Sequence, residues 1–179
     1  MTATFGTDVP LERALAQLAE AGQWLPIDGN PTSTIGYLID SNSTGPLRLG
    51  FGAWRDLLLG AQFTNGAGEL ITAGGCTVKN VAGYDLTKFM VGQGSVFGKL
   101  VTVTTRTYKR PTHAVVARFD PDPRLINRLT PTDLRPQWTV LTHSELYCGY
   151  VGDERTADWY AQRLPELNPA TVQRRTIDD

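Results

Sequence analysis

Few residues of this 179-residue chain could do chemistry, and their spacing excludes more than it offers. His113 and His143 are the two histidines and Cys76 and Cys148 the two cysteines, so no metal-ligand spacing exists and both cysteines read as ordinary thiols without a CxxC partner. His143-Ser144-Glu145 has the residue types of a nucleophilic relay, but neighbours along a strand point to opposite faces, which argues against one. No GxGxxG opens a helix after a strand, and no GxxxxGK[ST] loop is present. What stands out is Lys79-Asn80-Val81-Ala82-Gly83-Tyr84-Asp85-Leu86, followed by Gly92, Gly94 and Gly98 ahead of a β-rich run. Glycines so placed have two uses. They supply positive φ in a tight connection, or they let backbone N–H groups approach a bound group with no Cβ in the way, a cofactor being the first candidate.

The elements that must position these residues follow from periodicity. Leu11, Ala14, Leu15 and Leu18 form an apolar stripe at helical spacing, capped by Asp8, with Pro10 in the first turn and a stop at Gly22. Residues 28–52 are rich in Gly, Pro, Ser, Thr and Asn and read as a long loop of the kind that carries function. Leu57 to Phe63, the turn Asn65-Gly66-Ala67-Gly68 and Glu69 to Thr72 predict a hairpin. Asp85 is expected to cap a short helix through Met90. From Leu100 to Tyr108 the alternation of Val101, Val103 and Thr105 with Thr102, Thr104 and Arg106 predicts a strand with one face buried. Beyond Pro111 the pattern predicts strands at 115–119, 139–151 and 171–176, a helix at 123–129 and a helix at 154–164 capped by Asp153. The fold class expected is α+β, with one domain over residues 1–111 and a second over 112–179.

Composition narrows the function classes. Seventeen basic against eighteen acidic residues, without long runs of either sign, give nucleic acid and membrane surfaces no electrostatic purchase. No apolar segment reaches membrane-spanning length and the first residues lack the pattern of a signal peptide, so a cytoplasmic location is expected. Arg55 and Asp56 read as solvated charges, and Trp24, Trp54, Trp138 and Trp159, which share no period, as core or interface residues.

The run Gly52-Ala53-Trp54-Arg55-Asp56-Leu57-Leu58-Leu59-Gly60, the hairpin, Lys79 to Leu86, and Gly92 to Pro111 together resemble the second half of the FAD-binding domain of vanillyl-alcohol-oxidase-type (PCMH-type) flavoproteins. Within that superfamily they are most similar to the FAD-binding subunits of glycolate oxidase. The likeness extends upstream to Ala21-Gly22-Gln23-Trp24-Leu25-Pro26, covers residues 8–111, and is weaker in the tail, which resembles the start of an α+β cap. It implies that Thr34, Ile35 and Gly36 correspond to a "TxGG" cofactor turn, Ser43 and Gly45 to an "(N/S)xGP" turn, and Gly92, Gln93, Gly94, Ser95 and Gly98 to a "GSxGTLG" turn, with Leu100 beside the flavin. Tyr37, Gln93 and Ser95 depart from these motifs. Because a non-glycine residue at positive φ costs on the order of 1 kcal/mol or more, Tyr37 and Ser95 are expected to mark a changed backbone or a changed ligand. For Tyr84 and Asp85, packing and a helix cap account for the residue types as well as cofactor contact does.

The resemblance implies a subunit or segment of an FAD-dependent 2-hydroxy-acid oxidoreductase, contributing half of a flavin site with FAD held non-covalently. No residue is assigned as catalytic base. The first FAD subdomain has no counterpart in residues 1–7, which implies a protein partner, or self-association, covering the face it would occupy. The alternative is a scaffold or interaction protein built on this fold that no longer binds FAD.

Overall fold

The computed structural model describes residues 1–75 and 86–177. Its elements, in chain order, are β1 (Thr2–Gly6), α1 (Leu11–Glu20), β2 (Gln23–Trp24), α2 (Ile35–Asp40), α3 (Arg48–Phe51), α4 (Trp54–Leu57), β3 (Leu58–Thr64) and β4 (Leu70–Gly74). There follow α5 (Leu86–Phe89), β5 (Lys99–Arg106), β6 (Tyr108–Lys109), β7 (His113–Phe119), α6 (Pro123–Leu129), β8 (Trp138–Leu141), β9 (Leu146–Gly152), α7 (Glu154–Arg163) and β10 (Thr171–Thr176). The fold is α+β. Cys76, the block from Lys79 to Asp85 and the expected Asp85 cap lie outside the described residues.

The chain divides into two compact units, Met1–Gly45 with Gly52–Lys109, and Pro46–Phe51 with the residues from Arg110 onward. The first is built on an antiparallel sheet in the order β1-β5-β3-β4. Leu11, Ala14 and Leu18 of α1 are buried at the expected spacing, but the N-cap is Pro10 rather than Asp8. Proline has no side chain to offer as a cap, and the first helical amides are met by the chain itself, Leu11 N–H by Ser33 O at 2.9 Å and Glu12 N–H by Pro31 O at 3.0 Å. The loop expected over 28–52 is likewise corrected, since it contains α2 and α3. Thr34 caps α2, its hydroxyl accepting from Tyr37 N–H at 3.2 Å, and Ile35, Leu38 and Ile39 put one face of the helix into the core. Six residues are too few for a period to be read among so many turn formers.

The hairpin forms as expected, with Asn65 Oδ1 accepting from the amides of Ala67 and Glu69 at 2.9 and 3.0 Å. Asp56 is more than a solvated charge, because its carboxylate accepts from Ala53 N–H at 2.9 Å and closes the start of α4. In β5 the buried set is Leu100, Val103 and Thr105, while Val101 is 41% exposed. The register against β3 shifts between Gln62 and Phe63, which pair with Thr102 and Leu100, so Val101 is the extra residue of a bulge and the alternation changes phase there. Thr7 N–H donates to its carbonyl at 3.1 Å. Trp54, Leu25, Leu57, Met90 and Val103 fill the centre of the unit.

The second unit is an antiparallel sheet in the order β10-β7-β9-β8. Val115, Ala117, Phe119, Leu146, Cys148 and Tyr150 form its buried face, packed with Leu125 and Leu129 of α6 and Ala157 of α7. Asp122 and Asp153 cap those helices, each accepting a main-chain N–H at 2.9 Å. The segment carrying α3 joins this unit by packing on β8, where Arg135 donates to Leu49 O at 2.8 Å.

Candidate functional site

Two segments far apart in sequence meet at the C-terminal end of α2. Ile39 O accepts from Gly92 N–H at 2.9 Å and Asp40 O from Gly94 N–H at 3.3 Å. The Asp40 carboxylate receives Gln93 Nε2 at 3.2 Å on one oxygen and Ser95 Oγ at 2.6 Å on the other. Gln93 then spans the turn it belongs to, its Nε2 donating to Gly98 O at 3.0 Å and its Oε1 accepting from Phe97 N–H at 2.7 Å. Gly92, Gly94 and Ser95 all have left-handed φ, at 76°, 58° and 61°. This is the conformation the glycines of the motif supply, and Ser95 adopts it with a side chain. Gly92 and residues 94–97 are exposed, whereas Gly98 is buried against Thr64 and Phe63.

Thr34, Ile35 and Gly36 are arranged differently. They form the cap and first turn of α2, and the amides of Ile35 and Gly36 both donate at 2.9 Å to carbonyls of the same chain, those of Val9 and Thr7. A Cβ on Gly36 would stand 2.9 Å from the Thr7 carbonyl oxygen, so this glycine permits a close helix approach. Tyr37 is an ordinary helical residue, 63% exposed and without positive φ, so of the two expectations for this position the structure shows a backbone that needs no second glycine. Ser43 and Gly45 follow α2 directly: Ser43 N–H donates to Leu38 O at 2.9 Å, and Gly45 lies against Asp28, which a Cβ would meet at 2.5 Å. Leu100 is 3% exposed and belongs to the core.

The fit of these positions to FAD therefore divides. The left-handed turn at 92–95 is exposed and has no side chain at Gly92 and Gly94, so a ring edge can lie against it, although the amides of both glycines are held by Ile39 O and Asp40 O. Ile35 and Gly36 are buried as well as engaged through their amides, so what that segment would offer a flavin is support for the turn through α2. Asp40 is the residue that motif matching missed. Its one sequence signal is an acidic side chain at a helix C-terminus, where the macrodipole disfavours it.

In the second unit, His143 and Ser144 sit in the β8–β9 hairpin, and Glu145 bonds elsewhere, to Arg118 at 2.6 Å and to the Tyr147 hydroxyl. The Tyr147 hydrogen bond, helped by Arg118, holds the Glu145 carboxyl below its ordinary range, and the same bond raises the Tyr147 phenol. This is an ion pair organised around Arg118. Among the described residues no cluster of three or more His, Cys, Asp or Glu could hold a metal, and no helix is long and apolar enough to cross a membrane.

No family model matches the chain. It is 38% identical over 114 residues to the glycolate oxidase subunit GlcE of Escherichia coli, a match covering 62% of this chain and 32% of the relative. It is 31% identical over 100 residues to a mitochondrial D-lactate dehydrogenase (cytochrome) of Arabidopsis thaliana, covering 56% of this chain and 18% of the relative. The chain thus spans about a third, or less, of these relatives. Among solved structures, the VAO-type flavoprotein MtVAO615 of Myceliophthora thermophila superposes with a TM-score of 0.67 at 17% identity, over 98% of this chain and 36% of its own.

Proposed function

We propose that this chain, which has the fold of vanillyl-alcohol-oxidase-type flavoproteins and whose homologues are glycolate oxidase subunits and FAD-linked oxidoreductases, supplies one wall of a non-covalent FAD site in a 2-hydroxy-acid oxidoreductase of more than one subunit. The observation that carries this reading is the exposed left-handed turn at 92–95, anchored on the C-terminal end of α2, which the segment at 43–45 follows in sequence. Residues Gly92 to Ser95, Ser43 and Gly45 would line the cofactor, and the helix that Thr34 caps would support them. When bound, FAD supplies the capacity to accept a hydride from the hydroxyl-bearing carbon of a substrate, and the protein positions that reaction. A protein partner completing the site is favoured by apolar surface around the turn: Val96 is 78% exposed, and the half-exposed rings of Phe89 and Phe97 pack with centroids 4.5 Å apart, tilted by 45°.

A specific observation favours a second reading, in which the fold persists as an interaction module without flavin. The amides of Ile35, Gly36, Gly92 and Gly94 are all taken by carbonyls of the chain. Titration with FAD, followed by quenching of flavin fluorescence, separates the two readings. It is run on the protein alone and on the protein co-purified with products of neighbouring genes. Saturable binding in either form, with flavin absorbance retained through gel filtration, is the expected result. Absence of binding in both forms refutes the flavoprotein reading and leaves the interaction module.

A further inference from the structure

Asp40, Gln93 and Ser95 stand in one hydrogen-bonded group, and two of the three are departures from the glycine-turn motif. The geometry points to Asp40 as a positioning residue that holds the 92–98 turn in its left-handed form where the motif would rely on glycine. In its functional part this inference rests on the flavoprotein reading. Three observations converge on it. Asp40 offers three acceptors to consecutive residues of the turn, its main-chain oxygen to Gly94 N–H at 3.3 Å and its two carboxylate oxygens to Gln93 Nε2 at 3.2 Å and Ser95 Oγ at 2.6 Å. Ser95 has φ 61°, a conformation that a residue with a Cβ populates roughly tenfold less readily than the right-handed one. A carboxylate at the last residue of α2 opposes the helix dipole, so its placement there does not serve the helix.

The division of labour follows from the chemistry of the three groups. A serine hydroxyl donating to a carboxylate makes a charge-assisted hydrogen bond, stronger than a neutral one, and such a bond offsets the left-handed penalty at the residue that makes it. Gln93 carries the constraint forward, since its amide nitrogen reaches both Asp40 Oδ1 and Gly98 O while its oxygen takes Phe97 N–H. The carboxylate thereby fixes the start of the turn directly and its end through Gln93. The turn is a single unit only while Asp40 is in place.

The experiment is a double-mutant cycle with D40A, S95G and D40A/S95G, and with D40N, which keeps one acceptor. Two readouts are taken on each protein: amide hydrogen exchange at residues 92–98, which needs no flavin, and FAD affinity, for whichever form of the protein binds it. D40A is expected to raise exchange at Gly94 and Phe97 by about tenfold, leaving the amides of β3 and β5 unchanged, and to weaken FAD by a similar factor. In D40A/S95G both effects should largely reverse, because glycine takes the left-handed conformation without help. D40N should fall between wild type and D40A, and it decides the matter should D40A not fold. Unchanged exchange at Gly94 and Phe97 in D40A or D40N overturns the inference, as does simple additivity of D40A and S95G. Looser exchange with unaltered FAD affinity overturns the positioning role. If no form binds FAD, the flavoprotein reading fails, while the exchange cycle still tests whether Asp40 holds the turn.

Discussion

Replacing Gly36 with alanine sets two physical effects against each other, and their magnitudes predict which one wins. Gly36 is the second residue of α2 and has a helical conformation, so alanine alone should strengthen the helix by up to about 1 kcal/mol, less in a first turn. The added Cβ, however, would lie 2.9 Å from both the Cβ and the carbonyl oxygen of Thr7, about half an ångström inside ordinary contact. The oxygen is main chain, and it is the acceptor of the Gly36 amide at 2.9 Å, so relief requires α2 to move off the connection after β1. Overpacking of this kind costs roughly 1–3 kcal/mol, and stretching a buried main-chain hydrogen bond adds up to about 1 kcal/mol. The net expectation is a loss of about 2 kcal/mol. In urea unfolding this lowers the midpoint by about 1 M for a slope near 2 kcal/mol per molar. Gly66, whose Cβ would meet nothing within 4 Å, is the control, and Gly66→Ala should change stability by less than about 0.5 kcal/mol. A midpoint that rises in Gly36→Ala, as helix propensity alone demands, refutes the close-approach account. It would also return Gly36 to the residues whose type is explained by a ligand.

Two further outcomes follow from the second unit. A Cβ at position 149 would occupy the space of the Trp138 indole, so Gly149→Ala should displace that ring and destabilise the protein by roughly 2–3 kcal/mol, read as a blue or red shift of tryptophan emission together with a lower urea midpoint. Burial pushes the Cys148 thiol up to about 11, so the folded state keeps a proton that the unfolded chain releases from about pH 8.5. The stability tied to that proton is fully present below pH 8.5 and declines towards pH 11, by at most about 1.4 kcal/mol per pH unit, and burial of Tyr150 acts in the same direction. Urea midpoints at pH 8 and pH 10.5 check this: Cys148→Ala should be less stable at pH 8 yet lose less on alkalinisation, and an equal loss in both proteins would count against burial as the cause.

Sequence by itself determined the elements whose signals are complete within a short window. Leu11, Ala14 and Leu18 carry the period of α1, Asn65 to Gly68 carry their own turn chemistry, and Asp153 caps a helix that begins one residue later. The motifs also made the flavoprotein fold legible, because glycine spacing survives even where neighbouring positions have changed. Tertiary structure alone decided the rest. Helix α2 carries its own Thr34 cap and apolar face, but Thr7 and Val9, which accept the amides of Gly36 and Ile35, and the core that Ile35, Leu38 and Ile39 enter lie outside residues 28–52. Val101 leaves the buried face because β3 and β5 pair with a bulge, and a register shift is a property of two strands. Tyr37 needs no left-handed backbone while Ser95 has one, and the Ser95 hydroxyl bonds a carboxylate 55 residues away in sequence. A backbone conformation that costs energy locally persists when a distant group offsets it, and that group is visible only once the chain has folded.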